Sequence, residues 1–134
     1  MTKLERTEAR PRGRKAISLW LSKVEADSSF AARIAADFWA EARRSYEDVV
    51  ELLLSGRGAL LTLIEEGLLR ADEDLIALAE EHEWLRDRVA SVIGSMGPDE
   101  LERVMDALIQ SGLERSSVGR RISYRLRRLG LANR

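Results

Sequence analysis

Hydrophobic positions recur with helical spacing along most of the chain. In "AISLWLSKVEA", Ile17, Trp20, Leu21 and Val24 stand at i, i+3, i+4 and i+7, which places them on one face of a helix. The sequence has only two prolines and little β-branched alternation, which favours helices over strands. The pattern therefore predicts an all-α fold, a bundle of about six helices with short connections.

Three segments predict the middle of this bundle. Asp27 or Ser28 can cap a long helix over residues 29–54, which Gly56 can end. "RGALLTLIEEG" predicts a short helix that Gly67 closes. "ADEDLIALAEEHEWLRDRVASVIGSMG" predicts one further helix, with Asp72 as its cap and acidic residues in its first turn, where the helix dipole favours them.

A helix followed by a turn is predicted after Gly97-Pro98, since glycine suits a helix end and proline suits the first helical position. The helix runs to about Ser111. Gly112 can supply a left-handed turn, after which Leu113 can return to the core. The residues that share the apolar face of the helix are Leu101, Val104, Met105, Leu108 and Ile109.

A last helix can begin at Ser116 or Ser117, whose hydroxyl groups suit a cap. Its apolar stripe consists of Val118, Ile122, Leu126 and Leu129. The opposite side carries Ser117, Arg120, Tyr124 and Arg127, flanked by Arg121 and Arg128. Arg125 stands beside the stripe, where its aliphatic stem can cover apolar surface while its charge stays in water.

Charge is divided unevenly along the chain, although the net charge is only −1. Residues 1–15 carry six basic and two acidic side chains, and residues 115–134 carry seven arginines and no acid. The segment between them has 9 basic and 21 acidic side chains, hence −12. Basic ends can meet an anion, or they can fold back on the acidic middle.

The segment "GLERSSVGRRI" resembles the helix-turn-helix of bacterial repressors. In that family a glycine occupies the turn, an apolar residue follows it, and the second helix opens with small polar residues before a buried valine, as Gly112, Leu113, Ser116, Ser117 and Val118 do here. The resemblance covers residues 98–131 and has no wing. It implies that the second helix enters the major groove of DNA, where arginine can bind guanine through two hydrogen bonds.

The resemblance implies a set of DNA-contacting residues in this last segment. Five of them, Ser116, Ser117, Arg120, Arg121 and Tyr124, would enter or border the groove, while the outer arginines would hold phosphates. The set consists of Arg115, Ser116, Ser117, Arg120, Arg121, Tyr124, Arg127 and Arg128.

The N-terminal segment looks like an AT-hook in Pro11-Arg12-Gly13-Arg14, with Lys15 where that family has a second proline. An extended Arg-Gly-Arg of this kind lies in the narrow minor groove of A·T-rich DNA. An ordinary basic tail that binds phosphates is the alternative. We expect residues 1–15 to form a flexible basic arm and residues 16–134 to form a single helical domain.

Other classes of protein find little support in the sequence. There is no cysteine, no secretory signal and no apolar run that could span a bilayer, so we expect a cytoplasmic protein without membrane contact. His82, the only histidine, has no accompanying nucleophile pattern and no metal-ligand spacing. We expect no enzyme activity, no metal and no cofactor.

The sequence predicts a transcriptional regulator that binds double-stranded DNA as a homodimer, because one helix reading one groove gives limited affinity. The candidate dimer interface is the apolar end of the long helix, with Val49, Val50, Leu52, Leu53 and Leu54. Two alternatives stay open. The arginines can be a solvated outer face, and the acidic middle can make the chain a protein-binding module, such as an antagonist or adaptor.

Overall fold

The computed structural model describes residues 13–130, and in this range the chain is helical throughout, with no strand. Eight helices follow one another: α1 (Gly13–Ala26), α2 (Ser28–Arg44), α3 (Tyr46–Ser55), α4 (Arg57–Leu69), α5 (Glu73–Glu81), α6 (Glu83–Ser95), α7 (Pro98–Gln110) and α8 (Ser117–Arg128). The all-α prediction is confirmed.

Two compact units divide the chain, one ending at Gly67 and the other beginning at Leu68. In the first unit, α1 packs against α2 and α3, which also pack against each other. In the second unit, α8 packs against α5, α6 and α7. A helix with three neighbours has one side buried and only its outer side available to a partner. The single domain predicted over residues 16–134 stays a prediction.

The first unit has an aromatic core. The ring centroids of Trp20 and Phe38 lie 4.7 Å apart, and the rings of Phe38 and Trp39 meet edge to face at 5.4 Å. Trp39 also donates a hydrogen bond from Nε1 to the carbonyl oxygen of Leu63, at 3.2 Å. A buried indole with its N–H satisfied contributes apolar area without a polar penalty. Trp20 and Trp39 are both buried and are therefore core residues.

The predicted helix over residues 29–54 is two helices, because the backbone at Ser45 leaves the helical region with φ −119° and ψ 47°. Arg43 and Arg44 lie in the last turn of α2, and Glu47 and Asp48 lie in the first turn of α3. Each charge complements the dipole of its own helix end. The charges on either side of Ser45 thus favour two helix ends over one continuous helix.

The predicted helix after Asp72 is also two helices, since His82 is extended, with φ −127° and ψ 112°. Its predicted cap is confirmed: a carboxylate oxygen of Asp72 accepts from the N–H groups of Asp74 and Leu75, at 2.9 and 3.2 Å. Before it, Gly67 does not close α4, which continues to Leu69. The reversal comes instead at Ala71, whose φ is +50°.

Four of the five residues of the predicted dimer interface are at least partly buried within the first unit. Val49 and Leu53 are buried in the core of that unit, where α3 meets its neighbours. Val50 and Leu52 are half-buried, and only Leu54 is exposed. A single stripe of α3 therefore accounts for two of the five residues.

Candidate nucleic-acid interface

The path from α7 into the turn follows the predicted one. The N–H of Gly97 donates to Oε1 of Glu100 at 3.2 Å, and Pro98 is the first residue of α7. At the other end Gly112 has φ +73°, and the N–H of Leu113 donates to the carbonyl oxygen of Leu108 at 2.8 Å. The positive φ is the backbone state that favours glycine, which explains this residue in the turn.

The start of α8 is held by its own cap. Ser116 Oγ accepts a hydrogen bond from the N–H of Gly119 at 3.0 Å and donates one to the carbonyl oxygen of Leu113 at 2.6 Å. The predicted serine cap is confirmed at Ser116. Gly119 itself is buried, and a Cβ there would overlap the carbonyl oxygen of Glu114. The turn and the helix can approach this closely only because residue 119 has no side chain.

The inner side of α8 holds the helix in the second unit. Val118, Ile122 and Leu126 are each no more than 2% exposed, as the apolar stripe predicts. Leu129 was expected on the same stripe but is 40% exposed, because it follows the last helical residue and the core does not reach that far. Ile109 at the end of α7 was also expected to be buried and is 50% exposed.

The outer side of α8 forms an exposed surface that we call the basic face. It carries four arginines and one tyrosine, and α8 contains no acidic residue. Tyr124 is 57% exposed, and Cζ of Arg128 lies 5.9 Å from the centroid of its ring. This distance suits a cation–π contact. The basic face consists of Arg120, Arg121, Tyr124, Arg127 and Arg128.

Two further arginines lie near the basic face in the sequence but do not belong to it. Arg125 is half-buried, and its Nη2 donates to the carbonyl oxygen of Gly94 at 3.3 Å, near the end of α6. A cation at the carbonyl end of a helix is stabilised by the helix dipole. Arg125 is therefore a packing residue. Arg115, in the turn before α8, is exposed.

The two serines predicted to enter the groove are both half-buried. Ser116 Oγ is committed to the cap described above. Ser117 Oγ is buried and has no hydrogen-bond partner within the part of the chain that the structure describes. The structure thus presents the arginines and Tyr124 outward and keeps the serine hydroxyl groups inward.

One residue at this site could not be found from the sequence. Oε1 of Glu80, in α5, accepts a hydrogen bond from the backbone N–H of Ser117, the first residue of α8. The two residues are 37 positions apart, and no motif connects them. Glu80 itself is exposed. A carboxylate at a helix N-terminus is favourable, because it meets unsatisfied N–H groups and the positive end of the dipole.

The N-terminal arm lies largely outside the described residues, including Arg12. Gly13, Arg14 and Lys15 form the first turn of α1, although the flexible basic arm was predicted to reach residue 15. Good helix formers stand directly before Ile17, and adding a turn to an existing amphipathic helix is favourable. A helical Gly13-Arg14 cannot have the extended form that an AT-hook needs.

Residues 13–130 contain few other candidates for a catalytic or metal-binding site. No group of three or more metal-ligating side chains that could hold an ion lies in this range. His82 is half-buried at the break between α5 and α6, with Nε2 3.7 Å from a carboxylate oxygen of Glu81. No helix here combines the length and apolarity needed to cross a bilayer.

Comparison with known proteins gives no match: no family model fits the chain, and neither a curated protein nor a solved structure is significantly similar to it.

Proposed function

We propose that the protein binds double-stranded DNA through the basic face of α8 and acts as a transcriptional regulator, a binding protein rather than an enzyme. The observation that carries the proposal is the separation of the two sides of this helix. Val118, Ile122 and Leu126 anchor one side in the core, while the four arginines and Tyr124 of the basic face stand in solvent. The helix is thus fixed and its charge is free to meet an anion.

The dimensions of a helix suit the major groove of DNA. A helix with its side chains is about 10–12 Å in diameter, and the major groove is about 12 Å wide, so α8 can lie in it with the basic face toward the DNA. Arginine can hold phosphates and can bind guanine in a bidentate manner. The basic face therefore supports both backbone contact and base contact.

A single helix of this length gives modest affinity, so two copies on two half-sites are part of the proposal. Leu54 is 46% exposed at the end of α3 and is the residue of the predicted dimer interface that remains accessible. The basic N-terminal segment, which includes Arg12, adds salt-sensitive phosphate contacts.

Charge reversal on the basic face tests the proposal. We expect Arg120→Glu/Arg121→Glu to abolish binding to a labelled duplex, measured by fluorescence anisotropy across a salt series. Both side chains are exposed, and glutamate is a good helix former, so the fold should persist. Saturation should occur at two chains per duplex.

A matched control is available in the first unit. Arg43 and Arg44 are also adjacent and exposed, at the end of α2, so Arg43→Glu/Arg44→Glu makes the same change in net charge. The change also removes the ion pair between Arg44 and the largely buried Glu41, so the fold of this variant is checked by circular dichroism before binding is compared. Equal loss of binding in both variants, at unchanged helix content, would mean that net charge alone governs binding and would count against the basic face.

A protein-binding module is the second candidate, and the exposed acids beside α8 favour it. Glu80 and Glu81 at the end of α5, with Glu83 and Asp87 on α6, form an acidic surface in the same unit. Such a surface can meet a basic partner. No binding of the wild-type chain to any duplex at low salt would refute DNA binding and direct the search to a protein partner.

A further inference from the structure

The N-terminal end of α8 is occupied by groups of the protein itself. The N–H of Ser117 donates to Glu80, and the N–H of Gly119 donates to Ser116 Oγ. In repressor-type helix-turn-helix proteins, this end of the second helix supplies the residues that contact base edges. Here these two N–H groups already have partners within the second unit.

The partner of Ser117 is negatively charged, which matters for DNA. A phosphate that approached the start of α8 would meet the carboxylate of Glu80, and like charges at such distances repel. Glu80 is exposed, so its charge faces solvent.

The serine hydroxyl groups do not compensate for this charge. Ser116 Oγ is engaged on both sides, by Gly119 and by the carbonyl oxygen of Leu113. Ser117 Oγ is buried. The first exposed side chains of α8 are those of Arg120 and Arg121, about one turn into the helix, and the basic face continues from there to Arg128.

We infer that Glu80 is a specificity-determining residue that keeps DNA away from the N-terminal end of α8, so that DNA lies along the basic face from Arg120 to Arg128. This inference rests on the proposed function. It differs from the repressor arrangement in the position of the contact: the middle and last turns of the helix meet the groove, and Ser116 and Ser117 do not.

Glu80→Gln tests the inference, because glutamine keeps an acceptor for the N–H of Ser117 and removes only the charge. We expect the variant to bind a labelled duplex roughly three- to tenfold more tightly at low salt. The gain should shrink as the salt concentration rises, because it comes from removing a charge repulsion that salt screens. Glu81→Gln is the matched control, since it makes the same charge change at the next residue, whereas the N–H of Ser117 donates to Glu80. It should change affinity less than twofold.

Backbone amide shifts give a second readout that does not depend on affinity. In wild-type protein, DNA should shift the amide resonances from Arg120 to Arg128 and leave that of Ser117 nearly unchanged. In Glu80→Gln the shift should extend to Ser117. Equal affinity gains in Glu80→Gln and Glu81→Gln would overturn the inference, and so would a large Ser117 shift in wild-type protein.

The failure of the inference and the failure of the proposed function differ in their outcome. Wild-type binding that Glu80→Gln leaves unchanged refutes the role of Glu80 alone. Absence of binding in both proteins refutes DNA binding and the role of Glu80 together. Binding by Glu80→Gln but not by wild-type protein would overturn the inference, because DNA would then not lie along the basic face of the wild-type chain, and it would also refute the proposed function.

Discussion

Two helices of this protein, α4 in the first unit and α8 in the second, begin beneath a carboxylate from a distant helix. Glu25 Oε1 accepts from the N–H of Ala59 at 3.1 Å, near the start of α4, and Glu80 accepts from the N–H of Ser117. Both contacts satisfy an N–H that the helix leaves without an internal partner. The same device therefore serves both helix starts.

The surroundings of the two carboxylates differ. The exposed residues that follow the start of α4 include Leu61 and Glu65, whereas those that follow the start of α8 are Arg120 and Arg121. Glu25 can only complete a helix start, while Glu80 also stands beside a cationic surface. The contact at the start of α4 is thus structural, whereas the contact at the start of α8 also affects how a ligand can approach.

A glycine lies near each of the two carboxylates. The substitution Gly119→Ala should have the largest effect on the free energy of unfolding. The added methyl would overlap the carbonyl oxygen of Glu114 and lie 2.9 Å from that of Leu113. These are backbone atoms, and the hydrogen bonds from Leu113 to Leu108 and from Ser116 to Leu113 hold them in place. We expect a loss of about 3 kcal/mol in the free energy of unfolding, measured by urea denaturation.

Gly94→Ala is the control for Gly119→Ala within the second unit. Gly94 also lies in a helix, but a Cβ there would have no neighbour within 4 Å. Alanine should therefore stabilise α6 by about 0.5–1 kcal/mol through its helix propensity. If Gly119→Ala were as neutral as Gly94→Ala, the close approach between the turn and α8 would not exist in solution.

The local parts of this site could be predicted from the sequence. Asp72, Pro98, Gly112 and Ser116 act within about one turn of their own position, so their residue type and place determine their role. The helix break at Ser45 had a local signal too, in the arginines before it and the acids after it. A continuous apolar period across Ser45 concealed that signal.

The long-range parts could not be predicted, because they depend on which helices become neighbours. Glu25 and Glu80 are ordinary surface glutamates in the sequence and acquire their partners 34 and 37 residues away. The exposure of Ile109 and Leu129 depends on where the core of the second unit ends. Periodicity places these residues on an apolar face but does not say how far the face is covered.

The start of α5 also lies beneath a carboxylate, but this one is buried and belongs to the cap residue of the same helix. Burial raises the pKa of Asp72 to about 6, although hydrogen bonds from the N–H groups of Leu75 and Asp74 act in the opposite direction. The folded state therefore holds the proton more tightly than the unfolded chain. The free energy of unfolding should fall by up to about 3 kcal/mol between pH 4 and pH 7 from this group.

Asp72→Asn should remove this pH dependence, because asparagine caps a helix about as well and has no charge to bury. We expect the variant to be more stable than wild-type protein at pH 7 and similar to it at pH 4, in urea denaturation at both values. Asp27 is the control. Its hydrogen bonds with Ser29 lower its pKa, so Asp27→Asn should lose stability at pH 7 rather than gain it. The same sign in both variants would contradict the burial of Asp72.

The smallest effect belongs to Gly58→Ala at the start of α4. A Cβ there would lie 2.8 Å from Glu25 Oε1, the far end of a flexible side chain, which can swing aside. The variant loses the contact from Glu25 to Ala59 and gains helix propensity, so we expect a change within about 0.5 kcal/mol in the free energy of unfolding.

The double variant Glu25→Ala/Gly58→Ala isolates that contact. Without the carboxylate, Gly58→Ala should stabilise the protein by about 0.5–1 kcal/mol, so the two substitutions should be coupled by about that amount. Simple additivity would mean that Glu25 does not hold Ala59 in solution. Coupling would show that the clash at α4 is relieved when a side chain moves. At α8 the opposing atoms are backbone, so the corresponding clash cannot be relieved in this way.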